Sequence, residues 1–305
     1  MSDSELADRA LTASDLGEVV DFFRRSNPFA QLTWGWDTSR FVDWHYSAIS
    51  PSQQSADGWF SEHCQVFRDD SSIRAVFVAE DRGFTGCIIT PSEDPTSVIR
   101  VLDWVRRHRE VSDNALRFEF SKSAGWLSEI FAGAGFAQGP DSGLEWEYDL
   151  DSVSVRTLVP SGYTVGDLTE DRDDDLRGIA DCIKMSFGSE RDVLSSLRRL
   201  RANPMFRPEL NIFARSPNGR IAAYCRGTVD PGNGVCGVDP VCCHPDFQRL
   251  GLGKAIVQTC FERQRALGGR MSYIGSAPEP APGTFLYRSL GPESVTVSST
   301  WNSCL

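Results

Sequence analysis

No run of about 18 consecutive apolar residues occurs anywhere in the chain, so a membrane-crossing helix is not expected. Basic residues are in deficit, with 31 Lys and Arg against 42 Asp and Glu and a net charge of −11. A protein that neutralises nucleic-acid phosphates needs the opposite balance on at least one face. No such face is legible, so that class is not expected, and an acidic surface instead tolerates a cationic substrate. The opening residues, Met1-Ser2-Asp3-Ser4-Glu5, offer neither the basic stretch nor the apolar segment of a secretory signal, so a cytoplasmic location is expected. The 9 cysteines are odd in number and irregularly spaced, and no C-x-x-C occurs. They read as reduced core thiols rather than a disulfide framework or a metal site.

What is present is an ordinary globular composition of 305 residues, 40% apolar and 24% charged, enough for about two domains. The two halves follow the same pattern. Leu16, Val19, Val20 and Phe23 fall at helical spacing after Leu11-Thr12, and Leu176, Ile179, Ile183 and Phe187 do so after Leu168-Thr169. Arg74 to Glu80 and Asn211 to Arg215 read as strands, each followed by a turn (Asp81-Arg82-Gly83; Ser216-Pro217-Asn218-Gly219) and a second strand. A helix follows in each half, Ser97 to His108 and Gly253 to Leu267. A strand comes next, Ala115 to Phe120 and Met271 to Gly275, then a short helix and a glycine, Gly135 and Gly291. Recurrence in the same order indicates a tandem duplication. The seam is placed in the linker-like stretch around Val159-Pro160-Ser161-Gly162, giving domains 1–152 and 153–305. Alternating helices and antiparallel hairpins predict an α/β (α+β) fold, two mixed and mostly antiparallel sheets flanked by helices.

The most informative stretch runs from Val238 to Ala255. A strand carrying Val241, Cys242 and Cys243 ends at Pro245, and a loop with Gly251 and Gly253 leads straight into a helix. Unpaired N–H groups at a helix N-terminus bind anions, and glycines let a phosphate approach the backbone. Arg249 and Lys254 add positive charge. The nucleoside-triphosphate loop G-x-x-x-x-G-K-[ST] is not matched, because Gln248 stands at its first glycine and Ala255 at its hydroxyl. The dinucleotide fingerprint fails at Ile256. Adjacent strand residues point to opposite faces, so Cys242 and Cys243 cannot chelate one ion together.

What fits is Gln248-x-x-Gly251-x-Gly253, a Q/R-x-x-G-x-G/A pattern directly after a strand and proline. It resembles the acetyl-CoA loop of the GCN5-related N-acetyltransferase (GNAT) superfamily, and the element order matches that superfamily over roughly residues 160 to 305. An inert first domain followed by a competent second one resembles tandem acetyltransferases of the mycothiol synthase type. The resemblance implies acetyl-CoA as cosubstrate and no metal. The pyrophosphate would lie on Gln248, Arg249, Leu250, Gly251, Leu252, Gly253 and Lys254, and the pantetheine arm beside Val241, Cys242 and Cys243. It implies an oxyanion donor in the backbone N–H of Val241 or Cys243. It also implies a general acid in Tyr287, which lies in a Y-x-x-x-G segment ending at Gly291. A phenol is protonated at neutral pH and donates without tuning.

An alkylamine must lose a proton to attack, and Asp239, just before the cofactor strand, is the first candidate base. It reads equally as an anchor for a cationic acceptor or as a solvated strand-end carboxylate. Glu279 and Glu190 are lesser candidates. His244 is expected to face solvent or the loop. In the first half the equivalent loop, Thr90 to Ser97, has no glycine and two acids, and Phe131 stands where Tyr287 stands. That half is expected to be non-catalytic. Trp34, Trp36, Trp44, Tyr46 and Trp59 either pack a core or wall an acceptor cleft. The expected partner is a small-molecule amine, with no nucleic acid and no membrane, and the chain a monomer or homodimer. Alternative readings are a non-catalytic acyl-CoA sensor, or an acyltransferase using another acyl-CoA or a hydroxyl acceptor.

Overall fold

A computed structural model of the chain describes residues 7–26, 37–47, 63–79, 85–108, 116–170 and 172–303. The first half runs β1 (Ala7–Ala10), α1 (Leu16–Ser26), α2 (Thr38–Ser47), β2 (Cys64–Arg68), β3 (Ile73–Ala79), β4 (Thr85–Ile89), α3 (Pro95–His108), β5 (Arg117–Ser121), α4 (Gly125–Gly133) and β6 (Phe136–Asp149). The second runs β7 (Thr164–Gly166), α5 (Asp173–Phe187), α6 (Val193–Leu200), β8 (Asn211–Arg215), β9 (Ile221–Asp230), β10 (Val235–Cys243), α7 (Leu252–Ala266), β11 (Met271–Ser276), α8 (Pro282–Ser289) and β12 (Ser294–Ser303). Among the described residues the order of strands and helices is the same in both halves. Gly135 and Gly291, which follow the short helices, both adopt φ +76°, a left-handed conformation that favours glycine.

The Cα packing divides the chain into one unit of Met1–Glu145 with Thr296–Leu305 and another of Trp146–Val295. The cut at 152/153 follows element order, whereas packing places the end of β6 in the second unit and most of β12 in the first. In the first unit β1 to β4 pair antiparallel in sequence. β4 runs parallel to β5, and β12 closes antiparallel on β5 from Ser298↔Ser121 to Asn302↔Arg117. Helix α3 buries Val98, Val101, Leu102 and Val105, an i, i+3, i+4, i+7 stripe, against Phe77, Phe118, Phe131 and Trp301. In the second unit β7 to β10 pair antiparallel, β10 runs parallel to β11, and β6 is the other neighbour of β11.

Two core expectations need correction. In α1 the buried stripe is Val19, Phe22, Phe23 and Ser26, with Leu16 and Val20 only half-buried. In α5 Leu176, Ile179, Ala180 and Cys182 are buried, whereas Phe187 is 57% exposed. Phe187 is the last helical residue, and Gly188 in the left-handed region turns the chain away there. The turn 81–83 and the side chains of Trp34, Trp36, Trp44 and Trp59 lie outside the described residues, and Tyr46 is half-buried on α2.

Candidate functional site

The site begins with a fork. β10 pairs with β11 at Val235↔Met271, Cys236↔Ser272 and Gly237↔Tyr273, and that register then ends. On its other side β10 follows β9 to Val238↔Gly227, slips, and resumes from Val241↔Cys225 to Cys243↔Ala223. Pro240, which has no N–H to give, sits in the slip. The segment Val241–Cys243 is therefore held by β9 alone, and its opposite edge faces the gap.

At the end of the strand the chain makes a 3₁₀ turn, Pro245–Phe247, capped by His244. His244 is buried and turned toward the loop, the second of its two expected placements, rather than toward solvent. Its Nδ1 accepts the Asp246 N–H at 3.2 Å, and the Arg220 guanidinium lies 3.1 Å from Nε2. An imidazole so engaged has no lone pair directed at a substrate. Gln248 Nε2 donates to the Cys243 carbonyl, fastening the loop to the strand. Arg249 and Gly251 both adopt positive φ, 64° and 82°. Positive φ at Arg249 and Gly251, with Leu250 between them not in that region, turns N–H groups toward one concavity.

Gly251 caps α7 without a side chain, so no carboxylate or hydroxyl occupies the helix N-terminus. A Cβ at Gly251 meets nothing within 4 Å, leaving the approach open. At Gly253 a Cβ would lie 3.1 Å from Leu286 Cδ2 and 3.3 Å from Cys243 Sγ, so bulk is excluded there. Arg249 has no ion-pair partner among the described residues. Lys254 is committed elsewhere: its Nζ donates to the Ser289 carbonyl at 2.8 Å and ties the start of α7 to the end of α8.

Tyr287 projects from α8 and is 7% exposed. Burial pushes its phenol well above the ordinary value, and the charge of Asp239 adds to the effect. The structure thus brings the expected acid and the expected base within electrostatic reach. The two carry different environments, since Asp239 itself is solvent-exposed. Two further aromatic residues brace Tyr287. Tyr148 Oη donates to its carbonyl at 2.9 Å, and the Trp146 ring centroid lies 6.1 Å from its own. The lesser base candidates are poorly placed. Glu279 is ion-paired with Arg288, and Glu190 lies exposed between α5 and α6.

The cysteines behave as packing. Cys242 faces α5, with its Sγ 3.9 Å from Cys182 Sγ. Cys243 faces α7, and burial raises its thiol to about 11, so it is not a thiolate at neutral pH. Among the described residues no group of three His, Cys, Asp or Glu is placed to hold a metal ion. No helix there is long and apolar enough to cross a membrane.

Trp146, Tyr148 and, on the same strand, Glu147 were not expected at this site. Their strand belongs to the first half by sequence, and nothing local shows that its end joins β11.

The strand–loop–helix arrangement agrees with comparisons to known proteins. Residues 178–291 match the acetyltransferase (GNAT) family. That match covers 114 of the 305 residues, all within the second half, and marks that half as GNAT-like. A tandem GNAT protein from the clavulanic acid biosynthesis pathway superposes with a TM-score of 0.67 at 15% identity, over 98% of each chain. A GCN5-related N-acetyltransferase from Sphaerobacter thermophilus gives 0.62 at 15% identity, covering 98% of this chain and 96% of that one. A GNAT-family acetyltransferase from Colwellia psychrerythraea gives 0.62 at 9%, covering 97% and 100%. At these identities the likeness is one of fold, a mixed α/β sheet with helices in two GNAT-like halves. No curated protein matches the sequence.

Proposed function

We propose that the chain is an acetyl-CoA-dependent N-acetyltransferase that acetylates a primary amine of a small molecule by direct attack. The observation that carries this reading is the conjunction, in one unit, of an uncapped helix N-terminus, a strand edge opened at a fork, and a buried phenol. Acetyl-CoA would lay its pyrophosphate on the N–H groups of Gly251 to Lys254, with Arg249 adding charge. Its pantetheine arm would run along Val241–Cys243.

The chemistry then makes three demands on the residues. The thioester oxygen gains negative charge, and the N–H of Val241 or Cys243 answers it without a side chain. The amine must be neutral, and Asp239 takes its proton directly or through water. The sulfur leaves as a thiolate, and Tyr287 donates to it. A raised pKa keeps that proton in place throughout the neutral range.

A panel of primary amines with acetyl-CoA, followed by free-thiol release, tests the proposal. At least one amine is expected to give thiol and acetylated product in equal amounts. Tight CoA binding with no turnover across the panel overturns the proposal in favour of a non-catalytic acyl-CoA binder.

A further inference from the structure

Glu147 lies on β6, one strand beyond the fork, where its carboxylate is oriented by two neutral donors and has no ion-pair partner among the described residues. Tyr148 packs its ring against Phe261 of α7, ring centroids 4.9 Å apart, so its neighbour Glu147 points to the opposite face of the sheet. Ser272 donates to Gln264 of α7, so Tyr273 shares the face of Glu147. Tyr273 stands at Gly237↔Tyr273, the last pair before β10 and β11 part, and its partner there has no side chain. Tyr273 Oη donates to Glu147 Oε1 at 3.1 Å, and Ser294 Oγ donates to Oε2 at 2.6 Å. Each oxygen thus holds one neutral donor and keeps capacity for another, since an ionised carboxylate offers about four acceptor sites. No Lys or Arg among the described residues forms an ion pair with Glu147, whereas Glu279 and Asp167 are so paired. The carboxylate is half-buried, where a charge without a counter-ion is costly and a cation from outside is favoured.

From this we infer that Glu147 determines acceptor specificity, by binding a second, non-reacting cationic group of the amine on the face of the sheet opposite α7. The inference rests on the acetyl-transfer reading above and narrows it: the acceptor is a diamine or polyamine-like cation. The residue comes from the first half of the sequence, so that half supplies part of the acceptor site although its own loop is inert.

The test compares putrescine with the amino alcohol of the same chain length, using free-thiol release by the full chain. The wild type is expected to favour the diamine in kcat/KM by on the order of tenfold or more, the scale of one charge-assisted hydrogen bond. Glu147→Gln keeps the shape and the two hydroxyl donors but removes the charge. It is expected to raise the diamine KM and bring the ratio close to one, with thermal melting and CoA affinity checked on the same sample. Tyr273→Phe, which frees the carboxylate to rotate, is expected to give an intermediate ratio. If the wild type acetylates amines without preferring the diamine, or E147Q keeps the preference, the Glu147 assignment falls and acetyl transfer stands. If no amine is turned over while CoA binds, the enzymatic reading falls and takes this one with it.

Discussion

The two units build the same fork and finish it differently. In the first, β4 and β5 pair only at Thr85↔Arg117 and Gly86↔Phe118 before separating, as β10 and β11 do in the second. There the gap is filled by rings. Phe131 sits 4.9 to 5.0 Å from Phe120 and Phe118, Phe120 stacks on Trp301, and a cavity of about 10 Å³ remains. That holds at most one water. The helix N-terminus is also occupied. Asp94 accepts the Ser97 N–H at 3.0 Å and the Ser97 hydroxyl at 2.7 Å, and it pairs with Arg74. In the second unit the same helix start carries Gly251 and no side chain. A fork is thus a property of the fold, whereas ligand capacity depends on what is left out of it: a cap, a ring, a Cβ.

The largest effect is expected at the cap itself. Gly251→Asp places a carboxylate where the second unit has none and forces an L side chain into φ 82°. CoA affinity measured by calorimetry is expected to fall by on the order of a hundredfold or more, given the loss of both space and favourable charge. The wild type is expected to bind one CoA per chain. Two equivalent sites would show that the first unit's cap is no barrier, and unchanged affinity in a folded G251D would remove the loop from the site.

Next in size is Tyr287→Phe, which gives the second unit the residue that the first already has at Phe131. The phenol takes no hydrogen-bond partner among the described residues, so packing should survive. The kcat is expected to fall by on the order of a hundredfold, the usual contribution of one general acid, with the acetyl-CoA KM within a few-fold. The pH profile sharpens the test. Burial raises the Tyr287 pKa, so its protonated form persists and any alkaline loss of rate from this group lies above about pH 10. Near-wild-type turnover in Y287F would leave water as the donor.

The converse exchange, Phe131→Tyr, is expected to confer no second activity. A hydroxyl placed among Phe118, Phe120 and Phe136 enters an apolar cluster whose unpaired donor is the Trp301 indole N–H, and unless it meets that group, burying it unsatisfied costs about 1 to 3 kcal/mol. A lowered melting temperature with unchanged turnover is the expected result. A rise in turnover would mean that the first fork lacks only a proton donor.

These contrasts also mark what was legible in the sequence. The Gln248–Lys254 loop could be read because its determinants are local: a proline ending a strand, two glycines, and the start of a helical stripe. Phe131 against Tyr287 could be read because the order of elements repeats. The burial of His244 could not, since it depends on Arg220, which lies 24 residues away. Nor could the placing of Glu147 and Tyr148. Their strand closes the first half in sequence, and its pairing with β11 is a long-range contact that periodicity does not encode. The α5 stripe stops short of Phe187, which helical spacing alone does not reveal because it does not say where the core ends.

The smallest effect, and the most direct test of what occupies a helix start, is Asp94→Ala. Removing a capping carboxylate costs about 1 kcal/mol, a shift of a few degrees in melting temperature. The pH dependence identifies the cause. Burial works against the Asp94 charge, but the Ser97 N–H and hydroxyl and the Arg74 guanidinium outweigh it and hold the carboxyl below its ordinary 3.8. A depressed folded pKa stabilises above the unfolded value and loses that contribution as pH falls through the folded one. The gap between wild type and D94A is therefore expected to be full at neutral pH and to close progressively below about pH 4. A gap that persists unchanged at low pH would point to lost packing instead of a lost cap. Freed of Asp94, the α3 N-terminus is still expected to bind no CoA, because Glu93 remains beside it and Pro91 and Pro95 supply no N–H. A second CoA site in D94A would show that one carboxylate alone had kept the first unit from binding its ligand.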